Sequence, residues 1–202
     1  MERLLEKLDE HHKEIAFSFF KELGRIYGDM DREYLRTAEN YGFECRGCEN
    51  NCCLTRFYHH TVLEYAFLME GFHALDLNQK EQIRRRSRDV IGAYENADEL
   101  KTSVRAMCPL NEKGLCLLYE KRPMICRLHG LPHELKKATG QKILGPGCEA
   151  FDLCCKDQPY LPLDRTPFYI QMAGLEQRLR QALGYSSKIK LTIADRVASS
   201  KI

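Results

Sequence analysis

Ten cysteines dominate the chemistry that this sequence can carry. Four of them crowd into the stretch CRGCENNCC, as Cys45, Cys48, Cys52 and Cys53. A two-residue gap lets two thiolates bend round one metal ion or cluster, and the three-residue gap that follows returns a third sulfur to the same side. Adjacent cysteines tend to point apart. Cys52 and Cys53 are therefore expected to serve different irons or different sites, or one of them is a buried thiol, and the spacing does not decide which is a ligand.

The other six cysteines are scattered through the second half of the chain, at Cys108, Cys116, Cys126, Cys148, Cys154 and Cys155. Structural zinc sites commonly use two close pairs of ligands, whereas this scatter suits a cluster caged by loops. Both kinds of centre accept four thiolates. Ten thiols exceed the needs of one four-ligand site, so two sites, or one cluster with extra thiols, would use the surplus, and all ten cysteines are candidate metal ligands. The predicted cofactor is an iron–sulfur cluster, [4Fe-4S] in the first instance, with a second cluster or metal site using the surplus and zinc as the alternative.

Composition and the first residues limit the setting of this chemistry. The start, MERLLEKLDEHHKE, lacks the features of a secretory signal, so the expected location is the cytoplasm, where thiols stay reduced and bind metal more often than they form disulfides. A net charge of +2 argues against a general nucleic-acid binder, and the sequence contains no apolar run long enough to cross a membrane. A cluster that carries electrons would need a redox partner protein.

Residues beside the cysteines could tune a metal centre. Pro123 can begin a helical turn that places Cys126, and the cations Arg122 and Arg127 bracket that thiol. Both arginines could offset the charge of a cluster or simply be solvated. Tyr119 could hydrogen-bond a ligand sulfur or pack, and the histidines near the cysteines, His59, His60 and His129, could ligate metal or be ordinary core or surface residues. The run RRRSR at 84–88 is read as a solvated helix face.

The stretches CRGCENNCC and CPLNEKGLCLLYEKRPMICR together resemble the zinc- or iron-chelating domain family named for its CxxCxxxCC cysteine cluster. The family pattern continues with Cys-Pro and then Gly-x-Cys-x-x-Tyr-x-x-Arg-Pro-x-x-Cys-Arg. The positions here are Cys108, Pro109, Gly114, Cys116, Tyr119, Arg122, Pro123, Cys126 and Arg127. The resemblance spans about residues 45 to 148 and implies metal chelation. Members similar to the flagellin lysine N-methylase imply a third hypothesis, a cluster-dependent protein lysine methyltransferase, although the sequence shows no strand with a Gly-rich turn of a conventional S-adenosylmethionine fold.

The elements that must position these residues read mainly as helices. Apolar spacing predicts helices over 3–23, ended by Gly24, and over about 31–41. An apolar helix follows Thr61, and a more polar one begins after Asp76. Segment 108–166 holds six of the seven prolines, so only short helical turns near Pro123 and Pro132 are expected there. A helix capped by Thr166 and ended by Gly184 precedes a tail that is expected to fray.

The fold class that follows is mainly α, with helices enclosing an irregular, loop-rich, cysteine metal-binding core. A single domain over 1–202 is predicted. It comprises N-terminal helices at 1–41, a cysteine-cluster core with two inserted helices at 42–166, and a C-terminal helix and tail at 167–202. Nothing in the sequence decides whether the protein is an enzyme, and the substrate, the number of clusters and the oligomeric state stay open.

Overall fold

The computed structural model describes residues 10–45 and 52–199, and it is mainly α-helical, as predicted. The helices are α1 (Glu10–Tyr41), α2 (Val62–Ala74), α3 (Leu77–Glu99), α4 (Met124–Arg127), α5 (Glu149–Cys155), α6 (Thr166–Ala182) and α7 (Ile193–Ala198). The strands are β1 (Asn111–Glu112), β2 (Leu115–Cys116), β3 (His133–Lys136), β4 (Lys142–Gly145) and β5 (Leu163–Asp164). Short 3-10 turns lie at Cys52–Leu54 and Tyr119–Lys121. Each of these helices in the described ranges is too short or too polar to cross a lipid bilayer.

Helix α1 is one continuous helix of 32 residues, where the sequence predicted two with a stop at Gly24. A glycine in a helix interior costs about 1 kcal/mol relative to alanine. The apolar inner face of α1 offsets that cost, since Leu23, Ile26 and Met30 are almost fully buried around the glycine. The first residues of the predicted helix, 3–9, lie outside the described part of the chain. At 1.5 Å per residue, α1 spans about 48 Å.

Helix α2 lies in the centre of the molecule, packed against α1 and α6, and is buried on nearly every side, as predicted. Thr61 caps its first turn, since the side chain accepts from the Glu64 N–H. A second cap comes from another element. The carboxylate of Glu176 on α6 accepts the N–H groups of Val62 and Leu63 at 2.7 and 3.0 Å. These bonds satisfy donors that a helix start leaves unpaired, and they fix α2 against α6.

The described part of the tail, up to residue 199, is ordered, in contrast to the prediction that the tail frays. Its residues 193–198 form α7, which packs along α3. Thr192 and Asp195 close a capping box at the start of α7, and Leu191 pairs with His59 as an isolated antiparallel bridge. Arg196 is fully buried, with its guanidinium over the Tyr65 ring. Local caps and burial thus order a segment whose sequence pattern was ambiguous.

Segment 108–166 contains more strand than predicted. The helical turn expected near Pro123 is present as α4, but the turn expected near Pro132 is the start of β3. Strand β3 pairs antiparallel with β4 and parallel with β5. The Leu163 N–H donates to the Pro132 carbonyl, which extends the pairing between β3 and β5 by one hydrogen bond. In the described residues, the only parallel pairing covers two positions. Thr166 is not the cap of α6: it is the first helical residue, after Arg165, and its hydroxyl accepts the Lys136 N–H.

Candidate metal centre

Four thiols from separate segments come together in a group that we name the main thiol group, Cys53, Cys108, Cys116 and Cys126. The Cys108 N–H donates to the Cys53 carbonyl at 2.8 Å, which joins the first cysteine stretch to the loop after α3. The β1–β2 hairpin then sets Cys116 opposite Asn111. Helix α4 carries Cys126, whose electrostatic interactions include the other three thiols. The family-like motifs therefore converge although up to 73 residues separate them.

Burial makes three of these four thiols, Cys108, Cys116 and Cys126, unfavourable as bare thiolates. Burial raises the pKa of Cys108 to about 12, and it also raises the pKa of Cys116 and of Cys126. Two cations act in the opposite direction, Arg86 on Cys108 and Arg122 on Cys116. Metal ions bind thiols in their deprotonated form, and a positively charged metal centre would stabilise these thiolates against the cost of burial. Four sulfur donors suit a zinc ion or an iron–sulfur cluster equally in their chemistry.

The side chains of Cys52 and Cys53 are hydrogen-bonded to each other, so the expectation that adjacent cysteines point apart is wrong here, although their other neighbours differ. A hydrogen bond between their side chains raises the pKa of Cys52 and lowers the pKa of Cys53 to about 6, and the Asn111 side chain contributes to the second shift. Cys53 belongs to the main thiol group, while Cys52 interacts electrostatically with both Cys126 and Cys45. Cys52 therefore lies between two groups of thiols.

The second group, named the outer thiol group, consists of Cys45, Cys52 and Cys148 around Tyr34 of α1. Burial raises the pKa of Tyr34, and these three thiols act in the same direction. The Cys148 N–H donates to the Gly130 carbonyl at 2.9 Å. Gly130 has a φ of +114°, and a Cβ there would approach the Tyr34 oxygen to 3.0 Å and the Cys148 sulfur to 3.8 Å. Glycine thus allows this close approach. Cys48, predicted as a ligand, lies outside the described residues.

The last two predicted ligands, Cys154 and Cys155, form a third group that we name the C-terminal thiol pair. Their sulfur atoms are 2.7 Å apart, and the electrostatic effects on Cys155 come from Cys154. Cys148 precedes the first residue of α5 and Cys155 is its last residue, so about 10 Å of helix separates them. That length is too great for one metal ion to bind both. We therefore describe the pair separately from the outer thiol group, and metal ligation by Cys154 and Cys155 stays a prediction.

The predicted tuning residues anchor the loop that carries Cys116 and Cys126. The buried Arg127 pairs with Asp31 of α1 and donates to the backbone carbonyls of Arg122 and Glu120. Its guanidinium lies 4.1 Å from the centre of the Tyr27 ring. Each of the three guanidinium nitrogens of Arg127 makes one of these hydrogen bonds, and together they hold α4 against α1.

Arg122 and Tyr119 form the outer part of the same anchor. Arg122 pairs with Asp31 at 3.2 Å, and its guanidinium stacks 3.6 Å from the centre of the Tyr119 ring. Tyr119 is 55% exposed, so its ring packs on a cation at the surface. The charge of Arg122 also lowers the pKa of Cys116, a thiol of the main group. A direct role of any of the three toward a bound metal stays a prediction.

The histidines near the cysteines make backbone and ring contacts. His59 pairs with Leu191, the His60 ring nitrogen Nδ1 lies 3.1 Å from the Ile189 carbonyl, and the His129 ring packs against Phe57. Burial lowers the pKa of His59 to about 3 and that of His129 to about 4, so both rings are neutral at pH 7. His59 thus supports the fold through its backbone, and His60 and His129 do so through their rings, while metal ligation by the three histidines stays a prediction.

Sequence reasoning missed two residues that act beside the main thiol group. Glu64 is buried in α2, and its carboxylate accepts the Met124 N–H at 2.7 Å, which fixes the start of α4 two residues before Cys126. Arg86, in the run read as a solvated face, reaches the Asn111 carbonyl at 3.4 Å and interacts electrostatically with Cys108. The available signal for Glu64 was a single acid inside the apolar run TVLEYAFLM. Nothing in the sequence distinguished Arg86 from its neighbours.

Comparisons with known proteins bear on the same segment. In the part of the chain that the structure describes, no three His, Cys, Asp or Glu side chains already stand in a geometry that could hold a metal ion. No curated protein and no solved structure shows significant similarity to the chain. Residues 44–143 match the family CxxCxxCC, described as "Putative zinc- or iron-chelating domain". The chain has three residues between Cys48 and Cys52, one more than that name shows, and Cys148, Cys154 and Cys155 follow the matched segment. The match and the convergence of its motifs identify residues 44–143 as a member of this zinc- or iron-chelating domain family.

Proposed function

We propose that the main thiol group binds an iron–sulfur cluster, a [4Fe-4S] cluster in the first instance, and that the protein serves redox or cluster-dependent chemistry. The observation that carries the proposal is the gathering of Cys53, Cys108 and Cys116 around Cys126. A cluster of this type takes four thiolates, one for each iron. When bound, it would supply a site that accepts and returns electrons.

The way the four thiols are delivered supports a cluster. They come from a cysteine stretch, a loop, a hairpin and a short helix, whereas zinc sites are commonly built from two close pairs. Arg86 and Arg122 place positive charge beside two of these thiols. Cations near the sulfurs offset the charge of a thiolate-bound cluster and raise its reduction potential. Asp31, Arg127 and Glu64 hold the supporting loop in place.

The outer thiol group is the place for a second cluster or metal ion. Cys45, Cys52 and Cys148 supply three thiols beside Tyr34, and the CxxC spacing of Cys45 and Cys48 offers a fourth. A chain with two centres would use eight of its ten cysteines. The cytoplasm and a redox partner protein, both expected from the sequence, belong to the same proposal.

Zinc is the second candidate, because the family description names it and because four thiolates also fit a tetrahedral zinc ion. In that case the metal would stabilise the loops or be handled as cargo. The third hypothesis, cluster-dependent methylation of a protein lysine, rests on the resemblance in sequence alone. The two-residue parallel pairing of β3 and β5 gives it no support of the kind that a conventional S-adenosylmethionine fold would.

The test is anaerobic purification followed by iron, sulfide and zinc analysis and a visible spectrum. Iron and sulfide in equal amounts, about four of each per cluster, would support the proposal, and about eight of each would place a cluster in both groups. Zinc without sulfide would replace it with the second candidate. Saturable binding of S-adenosylmethionine to the cluster-loaded protein is required by the third hypothesis, and its absence would count against that one.

A further inference from the structure

Among the described cysteines, Cys154 and Cys155 are the two that lie outside both the main and the outer thiol group. Cys154 is exposed, while Cys155 is 3% exposed and its thiol points at the Tyr41 carbonyl, 3.7 Å away. With 2.7 Å between the two sulfur atoms, one accessible thiol stands in contact with one sheltered thiol. The pair also follows the segment that matches the chelating-domain family.

We propose that Cys154 and Cys155 form a redox-active vicinal dithiol, a reversible modification site that exchanges with low-molecular-weight disulfides such as glutathione disulfide. In this assignment Cys154 is the attacking thiol, because it can be reached from solvent. Cys155 is the resolving thiol, because its sulfur already touches that of Cys154. The site is separate from the proposed metal centre and does not depend on which metal that centre holds.

The exchange proceeds in two balanced steps. The Cys154 thiolate attacks one sulfur of glutathione disulfide, the disulfide bond breaks, and a mixed disulfide forms while one glutathione leaves and takes up a proton. Cys155 then loses its proton to solvent and attacks the Cys154 sulfur, which releases the second glutathione. The two protein thiols are oxidised to one disulfide, and glutathione disulfide is reduced to two glutathione molecules.

The geometry of neighbouring residues makes such a bond easy to reverse. Adjacent Cα atoms lie about 3.8 Å apart across a trans peptide, whereas disulfide-linked Cα atoms are usually about 4.4–6.8 Å apart. A disulfide between neighbours is therefore strained, and strained disulfides are the readily reduced ones. A bond of this kind suits a reversible signal rather than a structural cross-link.

Contacts of α5 connect the C-terminal thiol pair to the segment that leads into the first cysteine stretch. Cys155 is the last residue of α5, and Gln158 donates to the same Tyr41 carbonyl at 3.1 Å. Phe151 packs edge-on against Tyr41 and Phe43, just before Cys45. Closing a disulfide requires the last turn of α5 to rearrange and withdraws the Cys155 thiol from Tyr41. The segment from Tyr41 to Cys45 would register that change.

The experiment uses the metal-loaded full chain, incubated anaerobically with glutathione disulfide and then alkylated and mapped by mass spectrometry. In the wild-type protein we expect the peptide 143–156 to lose two hydrogen atoms, with fragment ions that place the loss at Cys154 and Cys155. Cys155→Ser should trap glutathione on Cys154. Cys154→Ser should give neither product, and it is a surface substitution that leaves the fold intact.

Phenylarsine oxide, which bridges two neighbouring thiols, provides a second measurement on the same samples. One equivalent should bind to the wild-type protein at this pair, and the Cys154→Ser variant should lose that equivalent. The proposal is overturned if glutathione never appears on Cys154 in Cys155→Ser, or if both serine variants lose metal, which would make the pair a ligand set. Metal content is read separately, so failure of the iron–sulfur proposal would not be mistaken for failure of this one.

Discussion

The main thiol group and the C-terminal thiol pair use the same side chain in opposite settings. The main group draws four thiols from distant segments, and a buried carboxylate and a buried arginine fix the loop around them. The C-terminal pair comes from two consecutive residues at the end of a short helix, with one sulfur open to solvent. Long-range convergence favours a bound metal, whereas local adjacency with exposure favours thiol exchange. Cysteine count alone would have given both regions one role.

The largest expected effect separates the two regions by metal content. Cys126→Ser removes the thiol that interacts with the other three of the main group, and we expect metal affinity to fall by well over about tenfold, since even partners of ligands cost that much. Cys154→Ser is the matched control and should retain the wild-type amount of metal. Iron and zinc analysis of both purified variants makes the comparison. Equal losses in the two variants would show that the regions form one centre.

Glu64→Gln tests the buried support of the main group. The substitution keeps the shape but removes the charge that accepts the Met124 N–H, the Tyr27 hydroxyl and the Thr61 hydroxyl. We expect the free energy of unfolding in urea to drop by about 3 kcal/mol, because hydrogen bonds to charged groups are the strong ones.

The control for Glu64→Gln is Glu70→Gln on the same helix. Glu70 is exposed and pairs with Lys121 at the surface, so its loss should cost about 0.5 kcal/mol or less. Similar losses of unfolding free energy in the two variants would show that the Glu64 contacts do not support the loop of the main thiol group.

Asp31→Asn tests the ion pairs between α1 and the loop of the main group. Arg127 is buried and would lose its carboxylate partner, so we expect about 2 kcal/mol of destabilisation by urea denaturation. Glu33→Gln, two residues along α1, breaks an exposed pair with Arg36 and should cost about 0.5 kcal/mol or less. A reversed order of the two costs would contradict the anchoring role of Asp31.

Acid should destabilise the fold through the buried side chain of His59. Burial lowers the pKa of His59 to about 3, while a histidine in the unfolded chain titrates near about 6.5. Between these values the unfolded state binds more protons, so the free energy of unfolding falls as the pH falls, by up to about 1.4 kcal/mol per pH unit. Urea denaturation of metal-free protein at several pH values between 7.5 and 5 measures the slope, and His59→Gln should make it shallower.

The smallest expected effect concerns α1, which both regions share. Gly24 lies in the helix interior, and the space that a Cβ would occupy there is open, so Gly24→Ala should stabilise the protein by about 0.5–1 kcal/mol. Gly42 follows α1 with a φ of +60°, and Gly42→Ala should destabilise it. Thermal denaturation of the two variants should shift in opposite directions. Destabilisation by Gly24→Ala would contradict a continuous α1.

Much of the helical frame could be predicted from local sequence. The apolar run after Thr61 and the cap at Asp76 mark α2 and α3, and Pro123 marks α4, because caps and prolines act within a few residues. The predicted helix end at Gly24 was wrong, because burial of neighbouring apolar side chains offsets the free-energy cost of one glycine in a helix. The fraying predicted for the tail was wrong, because α7 is ordered by packing on α3, a long-range contact that no local pattern encodes.

The candidate site divides in the same way. Motif spacing predicted which cysteines matter, and the family match over 44–143 confirms a chelating domain. The division of the nine described thiols into three groups depends on which distant loops meet, such as the bond between the Cys108 N–H and the Cys53 carbonyl. Arg127 beside Cys126 suggested charge compensation, but its partner Asp31 lies almost a hundred residues away, so the anchoring contact could not be read from the sequence.

Helix α1 contacts all three thiol groups or the loops that carry them. Asp31 holds the loop of the main group, Tyr34 faces the outer group, and Tyr41 touches the C-terminal pair. These contacts lie on one uninterrupted helix over about 15 Å, so their spacing is fixed by the helical rise rather than by the loops. A surface thiol pair and the loop of a proposed metal centre therefore contact the same helix, and α1 sets the distance between them.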